Sequence, residues 1–226
     1  MSQQTETKKL DEIAGGGKVR LADQAYLRIR DDIVTIRHSP GAPLDEKVLS
    51  AELGFGLTPV RDALKRLTLE RLAVIYPRRG TFVTDINISD ERWLTEVRIE
   101  LEGAAAALAA ERATEEELTA LRDHTALLES HDVGRDMSSD YLSIDTEIHR
   151  MVYAAARNPY LEDTLNPYAN LALRIWHYGI KRMRPTTPSC SQRDVVNAIG
   201  DRDPARARAA AQVHLRGFSE EVRTLL

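Results

Sequence analysis

Residues 48–72, VLSAELGFGLTPVRDALKRLTLERL, read as two short helices joined by a glycine-bearing turn, and that reading decides the fold. Leu49 and Leu53 form an apolar i, i+4 pair, Gly54-Phe55-Gly56 breaks the helix, and Thr58-Pro59 restarts one as N-cap and first helical position. On the second helix Val60, Leu64 and Leu67 face inward, and Arg61, Lys65 and Thr68 share the opposite face. The helix dipole disfavours cations near an N-terminus, so Arg61 calls for an anionic partner such as a DNA phosphate or a guanine edge in the major groove. The alternative is an ordinary solvated charged face. The residues after Leu72 favour DNA. Val74-Ile75-Tyr76 and Thr81-Phe82-Val83 are β-prone runs separated by Pro77-Arg78-Arg79-Gly80, a hairpin with a basic tip. A helix-turn-helix continued at once by such a hairpin is the winged form, whose tip can touch the DNA backbone or minor groove.

Outward from this stretch, residues 56–80 hold six Lys or Arg against two acidic residues, in a chain whose formal charge is −4. Residues 1–85 carry 14 basic and 12 acidic groups, whereas residues 86–226 carry 17 and 23. The basic excess lies where DNA contact needs it. Residues 1–18, ending in Gly15-Gly16-Gly17, read as a disordered tail without the apolar core of a signal peptide. Ala22 to Arg37 places Ala25, Ile29, Ile33 and Ile36 at helical spacing, as a support for the reading unit. Ser39-Pro40-Gly41 ends that helix, and Asp45 is the expected N-cap of the helix that carries Lys47. A length of 226 residues, 42% of them hydrophobic, allows one large or two small cores. Cys190 is the only cysteine, which excludes an intramolecular disulfide or a thiolate metal cluster. No window approaches the roughly 20 apolar residues of a membrane span, so a cytoplasmic protein is expected.

After residue 85 the pattern is helical throughout. Ser89 is the expected cap of a helix reaching about Ala113, with Leu94, Val97, Leu101, Ala104, Ala105 and Leu108 recurring at three and four. Thr114 and Glu117 form a capping box for a second helix, to whose apolar face Leu118, Leu121, Ala126 and Leu128 contribute. Further helices are expected at about 137–157 and 160–183, across Arg193 to Gly200, and from Asp203-Pro204 to about 224, with a Pro/Thr loop at Pro185 to Pro188. The fold class is therefore mainly α: an N-terminal winged helix-turn-helix over residues 19–85 and a C-terminal antiparallel six-helix bundle over 89–226.

Within the bundle Asp145 and His149 stand at i, i+4 and project from one face, and His214 lies on the last helix. A carboxylate and two imidazoles from different helices suit a divalent metal, although each also has an ordinary reading as a surface ion pair or a packed histidine. His177, between Trp176 and Tyr178, is either a further ligand or packing. Arg98 and Arg174 suit a carboxylate effector, with a salt bridge from Arg98 to Glu102 as the competing reading. Two other classes stay open on these residues. One is a metal-dependent helical-bundle enzyme acting on a small metabolite, although no clear general base accompanies the ligands. The other is a helical scaffold with an interaction module.

SPGAPLDEKVLSAELGFGLTPVRDALKRL with the later RRGTFV resembles the winged helix of the GntR superfamily of bacterial transcription regulators over residues 21–85. The resemblance implies DNA contacts by Lys47, Thr58, Arg61, Arg79 and Gly80, with Lys65 on the same face as Arg61. The family usually has Ser-Arg before Thr-Pro, where this chain has Gly56-Leu57, so one arginine contact is absent. DTEIHRMVYAAARNPYL and VVNAIGDRDPARARAAAQVHL are similar to the FCD effector domain of the FadR-like branch. That resemblance implies a metal held by Asp145, His149 and His214, with Gln192 where members carry a fifth-helix histidine. Zinc is the first expectation for the ion, then nickel or manganese. It further implies a homodimer on a palindromic double-stranded operator, acting as a repressor and responding to a small organic acid.

Overall fold

The computed structural model describes residues 20–130, 138–183 and 192–225, in two compact units divided between Asp85 and Ile86. The expected tail over residues 1–18 and the Pro185–Pro188 loop lie outside the described residues.

In the first unit α1 (Leu21–Val34) buries Ala25, Tyr26, Ile29 and Ile33 against α3 (Leu57–Leu69). The helix stops short of the expected Arg37. Ile36 takes a left-handed φ of 58°, and the N–H groups of Arg37 and His38 both return to the Asp32 carbonyl, at 2.8 and 3.0 Å. Those bonds satisfy a carbonyl that the helix end would orphan, and Pro40 comes next, where a helix cannot continue. The elements are also stapled by side chains. Arg66 lies 3.6 Å from the centre of the Tyr26 ring, and the Tyr26 hydroxyl donates to Glu70 at 2.7 Å.

The short α2 (Glu46–Leu53) is capped as expected: the Asp45 side chain accepts from the N–H groups of Lys47 and Val48 at 2.8 and 3.0 Å. Gly54 ends it at φ 70°, a conformation that glycine adopts without a side-chain clash. Helix α3 starts two residues earlier than the Thr58 cap predicts, with Gly56 as N-cap and no side-chain cap bond. Pro59 then falls inside the first turn, where no N–H is needed. The hairpin is β1 (Ala73–Tyr76) and β2 (Gly80–Val83), antiparallel, with Tyr76 opposite Gly80 and Ala73 opposite Val83. Arg78 and Gly80 both have positive φ, so Pro77-Arg78-Arg79 turns tightly. The Arg79 guanidinium sits over Tyr76 and Phe82, at 5.6 and 5.7 Å from their centres.

Among the described residues the second unit holds six helices: α4 (Ile88–Arg112), α5 (Glu115–Ser130), α6 (Ser139–Ala155), α7 (Pro159–Met183), α8 (Arg193–Gly200) and α9 (Pro204–Leu225). Asn87, not Ser89, caps α4, its side chain accepting from the Ser89 N–H at 3.1 Å. The Thr114/Glu117 capping box forms reciprocally, at 2.7 and 3.2 Å. Ser138 caps α6, Asn158 caps α7, and Asp203 accepts from the Arg206 N–H at the start of α9. On α5 the buried positions are Leu118, Leu121, Thr125 and Leu128, whereas Ala126 is exposed. The Thr125 hydroxyl reaches back to the Leu121 carbonyl at 2.8 Å, so a polar residue is buried with its hydrogen bond made.

The long α4 runs through the centre of this unit, packed on α6, α7, α8 and above all α9. Its alanines permit that closeness. A Cβ on Gly103 would stand 3.2 Å from side-chain carbons of both Arg208 and Gln212 on α9, tighter than ordinary van der Waals contact. The expected face is buried in large part, with Ala105 fully buried and Leu101 and Leu108 packed on the core, but it is not the whole of the inward surface. Val97 is 43% exposed and Trp93 61%, while Glu91, Arg98 and Glu102 turn inward beside Ala105, Ala106, Ala109 and Ala110. Among the described residues no helix is long and apolar enough to cross a membrane.

Candidate functional site

The inward polar stripe of α4 faces Asp145 and His149 on α6, Gln192 at the start of α8 and His214 on α9, all buried. The i, i+4 spacing sets Asp145 and His149 side by side, with His149 Nε2 3.5 Å from Asp145 Oδ2. His214 Nε2 comes from the last helix to within 3.3 Å of His149 Nε2 and 3.8 Å of Asp145 Oδ1. The amide nitrogen of Gln192 lies 2.8 Å from His149 Nε2, 3.0 Å from His214 Nε2 and 3.1 Å from Asp145 Oδ1. These four side chains thus converge in an irregular tetrahedral cluster, with separations of 2.8 to 3.8 Å and both Asp145 oxygens turned toward it. A tetrahedron with edges of this size has its centre about 2 Å from each corner, the bond length of zinc to imidazole nitrogen or carboxylate oxygen. The residues present fit a divalent cation.

Gln192 fits in two ways. As placed, its N–H groups serve the lone pairs of the neighbouring acceptors; a half-turn of the amide puts Oε1 at the same corner as a ligand. The choice is tied to His149. A neutral His149 Nε2 accepts from the amide N–H, whereas a protonated one donates to the amide oxygen.

Glu102 orients the cluster from behind. Its Oε2 accepts from His149 Nδ1 at 2.6 Å, which leaves Nε2 aimed at the centre, and its Oε1 accepts from Arg98 Nε at 2.6 Å. Burial alone would raise the Glu102 pKa, but the charges of Arg98 and His149 outweigh it and hold it at about 2. Burial would likewise depress His149, and the Glu102 charge with the Asp145 hydrogen bond instead holds it up at about 9. His214 goes the other way. Burial pushes it down to about 4 against the pull of Asp145, and its Nδ1 has no hydrogen-bond partner among the described residues. The Arg98–Glu102 salt bridge raised as the competing reading of Arg98 is therefore present. The part that Glu102 plays toward His149 joins residues 47 apart, and no local spacing announces it.

A cavity of about 30 Å³ adjoins the cluster, lined by Glu91, Thr95, Arg98, Asp145, His149 and His214 together with apolar residues including Leu142, Trp176 and Phe218. That is room for a water or two. Arg174 is buried on α7, and neither it nor His177 lines the cavity or joins the cluster. Glu91 and Thr95 are additions that the sequence reading lacks, although Glu91, Thr95, Arg98 and Glu102 are spaced as one helical face.

In the first unit Lys47, Thr58, Arg61, Lys65, Arg79 and Gly80 are all exposed. Arg61 Nε is bound to Glu46 Oε2 at 2.6 Å, and Lys65 Nζ stands 3.3 Å from Asp62. Thr58 lies in the first turn of α3 rather than capping it.

Comparison with known proteins agrees with this architecture. Residues 21–83 match the family model for bacterial regulatory proteins of the gntR family, and residues 93–217 match the FCD domain. The HTH-type transcriptional repressor RspR of Escherichia coli K12 is 28% identical over 203 residues, covering 89% of each chain. The Nta operon transcriptional regulator of Aminobacter aminovorans is 33% identical over 142 residues, 63% of this chain and 65% of that one. Among solved structures, E. coli McbR/YncC superposes with a TM-score of 0.73 at 19% identity, covering 92% of this chain and 99% of that one. With both family models matched in order along one chain, this protein belongs to the gntR family of bacterial transcription regulators, which are not enzymes, in the branch that carries an FCD domain.

Proposed function

We propose that this regulator is a cytoplasmic repressor that binds a palindromic double-stranded operator as a homodimer. Its residues 19–85 read the DNA, and its residues 89–226 bind a small organic acid beside a divalent metal and pair the protomers. The observation that carries the DNA assignment is the exposed cationic face of α3, Arg61 and Lys65, on the unit that also bears Arg78 and Arg79 at the hairpin turn. On this reading Arg61 reads a base edge, while Lys47, Thr58, Lys65, Arg79 and the Gly80 backbone fix the register on phosphates. Two recognition helices in a symmetric dimer suit two half-sites.

In the second unit Asp145, His149 and His214 would hold the metal with Gln192 at the fourth corner, zinc first and nickel or manganese next. Bound there, such an ion supplies a Lewis-acidic anchor for a carboxylate. Glu102 fixes His149, and Arg98 offers a guanidinium at the cavity wall. Arg174 would act through the packing of α7. A space of about 30 Å³ is too small for an organic acid, so binding has to part the helices. A coupling of about 1–3 kcal/mol from that repacking is enough to change operator affinity several-fold or more.

The test is fluorescence anisotropy on the DNA upstream of the protein's own gene at several salt concentrations, complemented by footprinting. Sequence-selective binding that weakens steeply with salt and protects two symmetric half-sites is the expected result. Binding that is indifferent to salt and sequence would defeat the proposal.

A further inference from the structure

The cavity has two chemically different ends. One is the His149, His214 and Asp145 cluster with Arg98 beside it; the other is Glu91, two helical turns from Arg98 along α4 and therefore about 10 Å away along the axis. Glu91 is 7% exposed. Its Oε1 accepts from Thr95 Oγ1 at 2.8 Å and its Oε2 from Ser219 Oγ at 3.2 Å, and both of those residues also line the cavity. Among the described residues no Lys, Arg or His nitrogen lies within 4.0 Å of it. The other buried carboxylates of this region have cationic or imidazole partners: Glu102 has Arg98 and His149, and Asp145 has His149 and His214. A carboxylate held away from water with two hydroxyls as its partners among the described residues is costly, and a cation placed against it relieves that cost.

We propose that the effector is a zwitterion with well-separated charges, an ω-amino acid in chemical class, whose ammonium pairs with Glu91 and whose carboxylate meets the cluster. The inference rests on the proposed function, in which a small organic acid enters this cavity, and it adds what the far end of that acid must carry. Leu94, Leu142, Leu173, Trp176 and Phe218 line the same cavity and suit a methylene chain. An α-amino acid, with both charges on one carbon, cannot reach both ends. A dicarboxylate would set a second anion against Glu91.

The experiment is isothermal titration of the full chain, with zinc present and again with chelator. The probes are 4-aminobutanoate, 5-aminopentanoate and 6-aminohexanoate, the plain monocarboxylates of equal length, and glutarate. One of the amino acids should bind about tenfold or more tighter than the monocarboxylate of its length and than glutarate. Glu91→Gln, which keeps the shape and removes the charge, should erase that preference while leaving the monocarboxylate affinity within about twofold. If monocarboxylates or glutarate bind as tightly as the amino acids, the assignment of Glu91 is overturned and the organic-acid reading stands. If a probe of none of the three classes binds, both are overturned.

Discussion

Glu102 holds His149 and Arg98 at the same time, 2.6 Å from each through its two separate oxygens. The carboxylate is thus both the anchor of an i, i+4 pair along α4 and the group that fixes which imidazole nitrogen of α6 is free to bind. Weakening it should cost metal affinity without touching a ligand. Glu102→Gln keeps an acceptor for one neighbour only, and zinc affinity should fall by about tenfold to a hundredfold. Competition with a chromophoric chelator measures it, with circular dichroism as the check on folding. A variant that stays folded and binds zinc within about twofold of the original would deprive Glu102 of this role.

Gln192 is the corner of the tetrahedron that suits zinc least, since an amide oxygen is a weaker donor to zinc than imidazole. Gln192→His should therefore raise zinc affinity by about tenfold or more and favour zinc over manganese. The same chelator competition with both ions gives the answer. Zinc affinity that is unchanged or lower would mean that residue 192 does not reach the ion.

Much of this architecture is legible in the sequence, and the reasons differ by element. Asp45, the Thr114/Glu117 box and Asp203-Pro204 are local signals whose hydrogen bonds form within one turn, so they read correctly from spacing alone. Asp145 and His149 share a face for the same reason. The central helix defeats such a reading for the opposite reason. The spacing of the apolar residues puts Val97 inward and gives no sign of Glu91, whereas Arg98 is legible as a cavity residue; the bundle builds its site on α4, leaves Val97 43% exposed and turns Glu91, Arg98 and Glu102 in. Part of the cost of burying those groups is offset along α4 itself, by the i, i+4 pair of Arg98 and Glu102, and part by His149 and Ser219 on other helices, which no spacing along α4 reveals. Thr125 displaces Ala126 on α5 similarly, because its hydroxyl has a carbonyl to bond.

On α3 Arg61 is held by Glu46 of α2 at 2.6 Å. This pair is 54% and 37% exposed, so it contributes little to stability, and on the proposed DNA reading its acidic member competes with a phosphate or base for Arg61. Glu46→Gln should leave the fold intact and tighten operator binding several-fold at low salt. Arg61→Ala should weaken it by about 1–3 kcal/mol and relax preference at one base-pair position. Anisotropy titrations against an operator and its single-base variants separate the two effects. An Arg61→Ala protein that keeps both affinity and preference would remove Arg61 from the interface.

Tyr26 supplies the clearest dependence on pH. Burial raises its pKa first, the hydrogen bond and charge of Glu70 add to the rise, and Arg30 and Arg66 only partly oppose it, so that it stands at about 12 against an ordinary 10. The folded state therefore keeps a proton that the unfolded chain gives up. Stability from this source is complete below pH 10 and is lost as pH rises from 10 to 12, up to about 3 kcal/mol for a shift of this size. Tyr26→Phe removes the group that titrates and also the 2.7 Å bond to Glu70. The variant should be less stable at neutral pH and lack this alkaline component. The absorbance of phenolate, recorded for both proteins and subtracted, isolates Tyr26 from the other tyrosines. A difference curve with its midpoint near 12 is expected, and one centred near 10 would show that the Arg66–Tyr26–Glu70 staple does not hold in solution.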